Sequence, residues 1–172
     1  MNQQGSVIAD GGAIESGPLA PHERTLPSIL RRQAQQFGSR RFLRCADSIW
    51  AHDAGVDIAT RMAAALTESG IRKGDRVALM CGNRAEFLEA FVGCGWLGAV
   101  IVPINTASMA PQIEYFLSNS EARLLVIERR FIERLAEIDR DAIRLSKIWV
   151  LDDAAAATDS TASTAVKGSI ES

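Results

Sequence analysis

From Arg76 to Leu151 the sequence alternates apolar runs of strand length with segments of helical period, and this alternation constrains the fold more than any other feature. The strand candidates are residues 77–81, 100–104, 124–127 and 148–151. Each is apolar throughout rather than at every second position, the condition of parallel strands covered by helices on both faces. Between them, residues 83–97, 110–118 and 129–138 carry apolar side chains at helical spacing and read as crossover helices. Right-handed crossovers then give one twisted sheet, so the expected class is α/β, a parallel sheet with helices on both faces.

Local signals refine this plan. Asn83 with Glu86 three residues on has the layout of a capping box, each side chain satisfying a backbone donor at the helix start. Pro103 cannot donate to a ladder and belongs at the strand's last paired position or at a sheet edge. Upstream, Thr25 is placed to cap a helix bearing Leu26, Ile29, Leu30, Ala34 and Phe37, with Gly38 as its stop. Residues 41–45 and 48–51 are short strands around an Ala46-Asp47 turn. Asp53 then caps a second helix with the apolar stripe Ile58, Met62 and Leu66, and Gly70 takes the left-handed position after it.

The bulk properties suit one domain: 172 residues, 47% apolar and 23% charged. The formal charge is −2 with the basic residues scattered, which leaves no footprint for a nucleic-acid backbone or an anionic membrane. Cys45, Cys81 and Cys94 include no close pair of the metal-binding or redox kind and read as buried structural thiols in a reducing, cytoplasmic setting. His22 and His52 are the chain's histidines, so a nucleophilic cysteine lacks an obvious base. The apolar run 87–104 holds Glu89, Gly93, Gly95, Gly98 and Pro103, and reads as a helix leading into a buried strand, with no membrane span. Residues 1–24 form an expected flexible tail without a basic leader and apolar stretch, 25–152 the folded domain, and 153–172 a low-complexity Ala/Ser/Thr tail.

Several motifs tempt. Gly93, Gly95 and Gly98 match GxGxxG, but they end a helix and lead into a strand. The dinucleotide motif has the opposite order and meets the pyrophosphate with free N–H groups, so close helix-to-sheet packing is the better reading here. Asn83 and Arg84 sit where a strand gives way to a helix, a common ligand position, although an N-cap and an exposed arginine explain them as well. Residues 160–168 hold hydroxyls and end in Lys167-Gly168, yet the glycines of a phosphate loop are missing, and β-branched Thr161 and Thr164 disfavour positive φ. Arg40, Arg41 and Arg44, with Arg129 and Arg130, read as solvated faces.

The words from Gly70 onward resemble a family. Gly70-Ile71-Arg72-Lys73-Gly74-Asp75-Arg76-Val77-Ala78-Leu79, followed by Asn83 and Glu86, is similar to the N-terminal region of AMP-forming acyl-CoA synthetases. So is Gly95-Trp96-Leu97-Gly98-Ala99-Val100-Ile101-Val102-Pro103-Ile104-Asn105, and so is Tyr115-Phe116-Leu117 with the stretch from Ser118 to Leu125. The early motif differs, with Ile49-Trp50-Ala51-His52 where the family usually starts a helix with Thr-Tyr. The resemblance covers about residues 25–152.

It implies one subdomain of the N-terminal domain of an adenylate-forming enzyme. It also implies carboxylate, ATP, Mg²⁺ and CoA as the complete enzyme's reactants, in fatty acid metabolism. The family's phosphate loop, acidic ATP segment, ribose-binding aspartate and catalytic lysine are not recognisable in the chain. No catalytic, cofactor-binding or metal-binding residue is therefore carried over. The expectation is a truncated carboxylate–CoA ligase, inactive alone, which self-associates or needs a partner. A subunit of a split ligase completed by a second chain and a non-catalytic interaction module are the alternatives.

Overall fold

The structure, a computed structural model, describes residues 20–45 and 48–152. In chain order the elements are α1 (Leu26–Phe37), β1 (Arg41–Cys45), β2 (Ser48–Ala51), α2 (His52–Glu68), β3 (Arg76–Met80), α3 (Ala85–Leu97), β4 (Val100–Pro103), α4 (Ala110–Ser120), β5 (Leu124–Glu128) and β6 (Lys147–Leu151). Short 3-10 segments occupy Arg129–Leu135 and Arg140–Ala142 between the last two strands. β1 and β2 form an antiparallel hairpin. The other four strands form one parallel sheet in the order β4-β3-β5-β6.

Alternation along the strands explains why their sequences are apolar throughout. Val77, Leu79, Leu124, Val126, Trp149 and Leu151 face one side, where Leu66 of α2 and Ala90 and Cys94 of α3 cover them. Ala78, Met80, Leu125 and Ile127 face the other side, where Ile113 and Leu117 of α4 and Phe131 of the 3-10 segment cover them. A third cluster around Leu30, Trp50, Ala59 and Val92 packs α1 and the hairpin onto the outside of α2 and α3. Helices thus cover both faces of a parallel sheet, as the continuous runs require.

Several local signals act as read. Thr25 Oγ1 accepts from the N–H of Ser28 at the start of α1, and Gly38 ends that helix at φ 51°. Gly70, at φ 83°, closes α2. Its N–H bonds the carbonyl of Thr67 while that of Ile71 bonds Leu66, the paired arrangement of a Schellman stop. Pro103 is both the last paired residue of β4 and on a sheet edge.

Others fall differently. Asp53 is not the cap of α2, which begins at His52. The N–H groups of His52 and Asp53 are instead met by the carbonyls of Arg40 and Gly38 from the α1–β1 connection. The most buried face of α2 carries Gly55, Ala59, Ala63 and Leu66, while Ile58 and Met62 are half-buried, because α2 approaches α3 through small residues. No capping box forms at Asn83: α3 starts at Ala85, and Glu86 is engaged by Arg84. Residues 129–138 are not an α-helix. In the 3-10 segment the eclipsed i,i+3 spacing sets the guanidinium of Arg134 4.6 Å from the ring centre of buried Phe131.

Candidate functional site

In an open parallel sheet, ligands gather at the carboxyl ends of the strands. Here that edge comprises the turn after β3 (Cys81 to Arg84), the last residue of β5 (Glu128), and Asp152 after β6. Glu128 follows the apolar run Leu124–Ile127, and the ladder carries its carboxylate into the interior, with the side chain only 9% exposed. A buried carboxylate must be paired. Arg84 Nη1 donates to Glu128 Oε1 at 3.1 Å, Arg130 donates to Oε2 at 2.9 Å from Nε, and the N–H of Gly82 reaches the same oxygen at 3.3 Å.

The Arg84 guanidinium is engaged on every side. Nε and Nη2 donate to the two oxygens of Glu86 at 2.9 and 2.6 Å, and Nη2 also meets the carbonyl of Asp152 at 3.0 Å. One arginine therefore joins the ends of β3, β5 and β6 to the first turn of α3. Arg129 pairs with the Asp152 carboxylate beside it. At Gly82 a Cβ would come within 3.2 Å of the Arg130 guanidinium, so the turn is closely lined by this network.

The electrostatics follow from the pairing. Burial opposes ionisation of Glu128 as the largest single influence, yet hydrogen bonds from Arg130, Arg84 and Gly82 together outweigh it and lower its pKa. Glu86 is lowered chiefly by its bond to Arg84, and that same bond raises the arginine. Burial, then the Glu128 charge, pushes Cys81 up to about 11, and burial pushes Cys94 up to about 12. Neither thiol supplies a nucleophile near neutrality, since the thiolate is the reactive form. Cys45 is half-buried rather than buried.

The remaining motifs find structural uses. A Cβ on Gly93 would lie 2.2 Å from Met62 Cγ, and one on Gly95 2.4 Å from Leu26 Cδ2. These glycines thus let α3 press against α2 and α1, a helix-to-helix approach rather than the helix-to-sheet one expected. Asn105 shapes the turn after β4, its side-chain oxygen accepting from the N–H of Ala107, and Arg134 ties that loop down through the carbonyls of Thr106 and Ser108. Arg129 and Arg130 are exposed, as the solvated-face reading has it, and each also takes part in an ion pair. Glu128 and Asp152 were missed; the signal for Glu128 is a carboxylate closing a fully apolar strand. Residues 160–168 and the Ala46-Asp47 turn lie outside the described residues.

As an arrangement, the carboxyl edge is a closed brace. Its arginines are matched to carboxylates and carbonyls, and Glu86 and Glu128 are both engaged by arginine, which does not suit them to hold Mg²⁺. Among the described residues, no group of three or more His, Cys, Asp or Glu side chains could hold a metal ion. No helix of the described residues is long and apolar enough to cross a membrane. A groove of about 860 Å³ opens elsewhere, between α4, the 3-10 segments and β6, lined by Leu117, Leu135, Ile143, Ile148 and Val150.

A family model described as AMP-binding enzyme matches residues 30–171. A medium/long-chain-fatty-acid–CoA/3-oxocholest-4-en-26-oate–CoA ligase of Mycobacterium tuberculosis is 33% identical over 109 residues, 63% of this chain and 20% of that protein. The long-chain-fatty-acid–CoA ligase FadD13 of the same organism is 48% identical over 69 residues, 40% of this chain and 14% of its own length. The solved N-terminal domain of FACL13 from M. tuberculosis superposes with a TM-score of 0.67 at 29% identity, over 75% of this chain and 34% of that domain. The chain thus spans a fifth or less of the curated relatives named here.

Proposed function

Because this chain belongs to the AMP-binding enzyme family, whose model covers residues 30–171, we propose that it supplies the parallel-sheet subdomain of an AMP-forming carboxylate–CoA ligase and does not carry out adenylation by itself. The observation that carries the reading is the state of the sheet's carboxyl edge. Adenylation sets a carboxylate against the α-phosphate of ATP, and the charge that builds there must meet free donors. At this edge the two arginines at the strand ends are already engaged: Arg84 by Glu86, Glu128 and Asp152, and Arg130 by Glu128. Phosphate-binding groups in a working ligase would then come from polypeptide other than residues 20–152. The reactants would be a fatty or other carboxylic acid, ATP with Mg²⁺, and CoA, with cytoplasmic location.

Thermal unfolding of the purified chain with and without Mg-ATP tests this. A ligand that binds only the folded state raises the midpoint by mass action, to the extent of about 2.7 kcal/mol at a hundredfold excess over Kd. No rise is expected, together with no carboxylate-dependent exchange of pyrophosphate into ATP. A rise accompanied by exchange would overturn the reading. The same architecture serves equally as one subunit of a split ligase, because the chain covers 34% of a solved N-terminal domain of the fold. A co-purifying chain that restores exchange distinguishes that form.

A further inference from the structure

The outer layer of α1, β1 and β2 is attached to the molecule by far less than holds the sheet together. Among the described residues, these three elements contribute two buried side chains, Leu30 and Trp50. By contrast all five residues of β5 are buried, and four of the five in β3. The hairpin forms no ladder with the parallel sheet. Among the described residues, the recorded backbone bonds that cross from the layer to the remainder are two. The N–H of His52 meets the carbonyl of Arg40 at 3.1 Å, and that of Asp53 meets Gly38 at 3.0 Å. Both lie at the first turn of α2. Most of the other attachment is apolar: Leu30 and Trp50, with half-buried Leu26 and Leu43, cluster with Ala59 of α2 and Val92 of α3. The Arg31 guanidinium rests 4.5 Å from the ring centre of Trp96 on α3.

This cluster shares no residue with the two clusters of the sheet. The layer is also continuous in sequence and meets the following elements at one chain connection, Ala51 to His52. A segment with few buried apolar side chains, packed through a cluster of its own, is a unit that opens below the free energy of global unfolding. We propose that α1 and the β1–β2 hairpin open together, as one unit, while the four-stranded sheet and α2, α3 and α4 stay folded. The two parts move together because they share supports. Leu30 of α1 and Trp50 of β2 belong to one cluster, and the rings of Phe37 and Phe42 both stack on His52, at 4.9 and 4.8 Å. Opening separates Leu30 and Trp50 from Ala59 and Val92 and bares that apolar seam of α2 and α3. It also frees the N–H groups of His52 and Asp53. The brace of Arg84, Glu86 and Glu128 lies on elements that stay, so the carboxyl edge of the sheet is unchanged in the opened form.

Hydrogen exchange of the full 172-residue chain, read by mass spectrometry over a series of low urea concentrations, is the test. Protected amides of α1, β1 and β2 are expected to share one urea dependence and to exchange about a hundredfold or more faster than those of β3 and β5. Leu30→Ala, a change in α1, is expected to speed exchange in the hairpin as well as in α1, by about tenfold or more, and to leave β3 and β5 unchanged. Thr25→Ala, which removes the cap on the Ser28 N–H, does the same to a smaller extent. Complete loss of protection in the layer of Leu30→Ala, with the sheet still protected, also supports the proposal. Three results overturn it: a layer as protected as the sheet in the parent chain, a hairpin indifferent to both substitutions, or β3 and β5 losing protection in step with α1 in both variants. A layer with no protection in the parent chain overturns it as well, since it is then never closed. None of these outcomes bears on the ligase reading, which fails only if the chain binds Mg-ATP and exchanges pyrophosphate.

Discussion

Glu128 has its carboxylate at the meeting point of three elements. Replacing it with Gln leaves Arg84 and Arg130 facing a neutral amide in a buried setting, and an expected loss of about 3 kcal/mol follows from breaking a buried pair one-sidedly. Urea unfolding of Glu128→Gln measures it. The pH dependence has a definite sign. Glu86 and Glu128 ionise below the ordinary value of 4.5 in the folded chain, so the stability they contribute is present above that value and is lost as pH falls through the depressed folded values. Glu89 has the opposite sign: burial first, then the Glu86 charge, raises it. Its contribution is complete below 4.5 and lost as pH rises through the raised folded value. Thermal midpoints followed from neutral to acid pH are expected to fall less steeply for Glu128→Gln than for the parent chain. Glu89→Gln gains slightly at neutral pH, by less than about 1 kcal/mol for a half-buried group. The thiols give a separate prediction. Alkylation of the folded chain near neutrality, read by mass spectrometry, labels Cys45 ahead of Cys81 and Cys94, which react on unfolding.

At the scale of elements, the glycines of α3 decide how closely the helical layer packs. A methyl at Gly93 would meet Met62 at Cγ and Cβ, 2.2 and 2.6 Å away, with the backbone nitrogen of Ala63 behind at 3.3 Å. At Gly95 the nearest atom is a terminal methyl of Leu26, which can rotate away. Gly93→Ala is therefore expected to cost about 2 kcal/mol through overpacking, offset in part by helix propensity, and Gly95→Ala distinctly less. Chemical denaturation of the two variants side by side measures the difference, and an equal or inverted ranking would contradict the packing described. The string GxGxxG was visible in the sequence, and its position late in a helix ruled out a phosphate loop. Its partner was not visible, because which helix lies across a glycine depends on contacts between segments about thirty to seventy residues apart. The same holds for Asp53 and Asn83. Each has the composition of a cap, but α2 begins one residue earlier, at His52, so that Asp53 accepts only from the N–H of Ala54 inside the first turn, and α3 begins later, at Ala85.

For the whole molecule, the parallel sheet runs β4-β3-β5-β6 with separate apolar clusters on its two faces. The parallel class, the four strands to within a residue or two, and the stops at Gly38 and Gly70 followed from the sequence by itself. They depend on local period and on backbone freedom, which neighbouring residues specify without help. The tertiary structure decided what Glu128 and Arg84 do and why α3 needs its glycines. These are properties of groups brought together from distant positions, and one strand's sequence holds no record of which carbonyl or carboxylate will lie beside it.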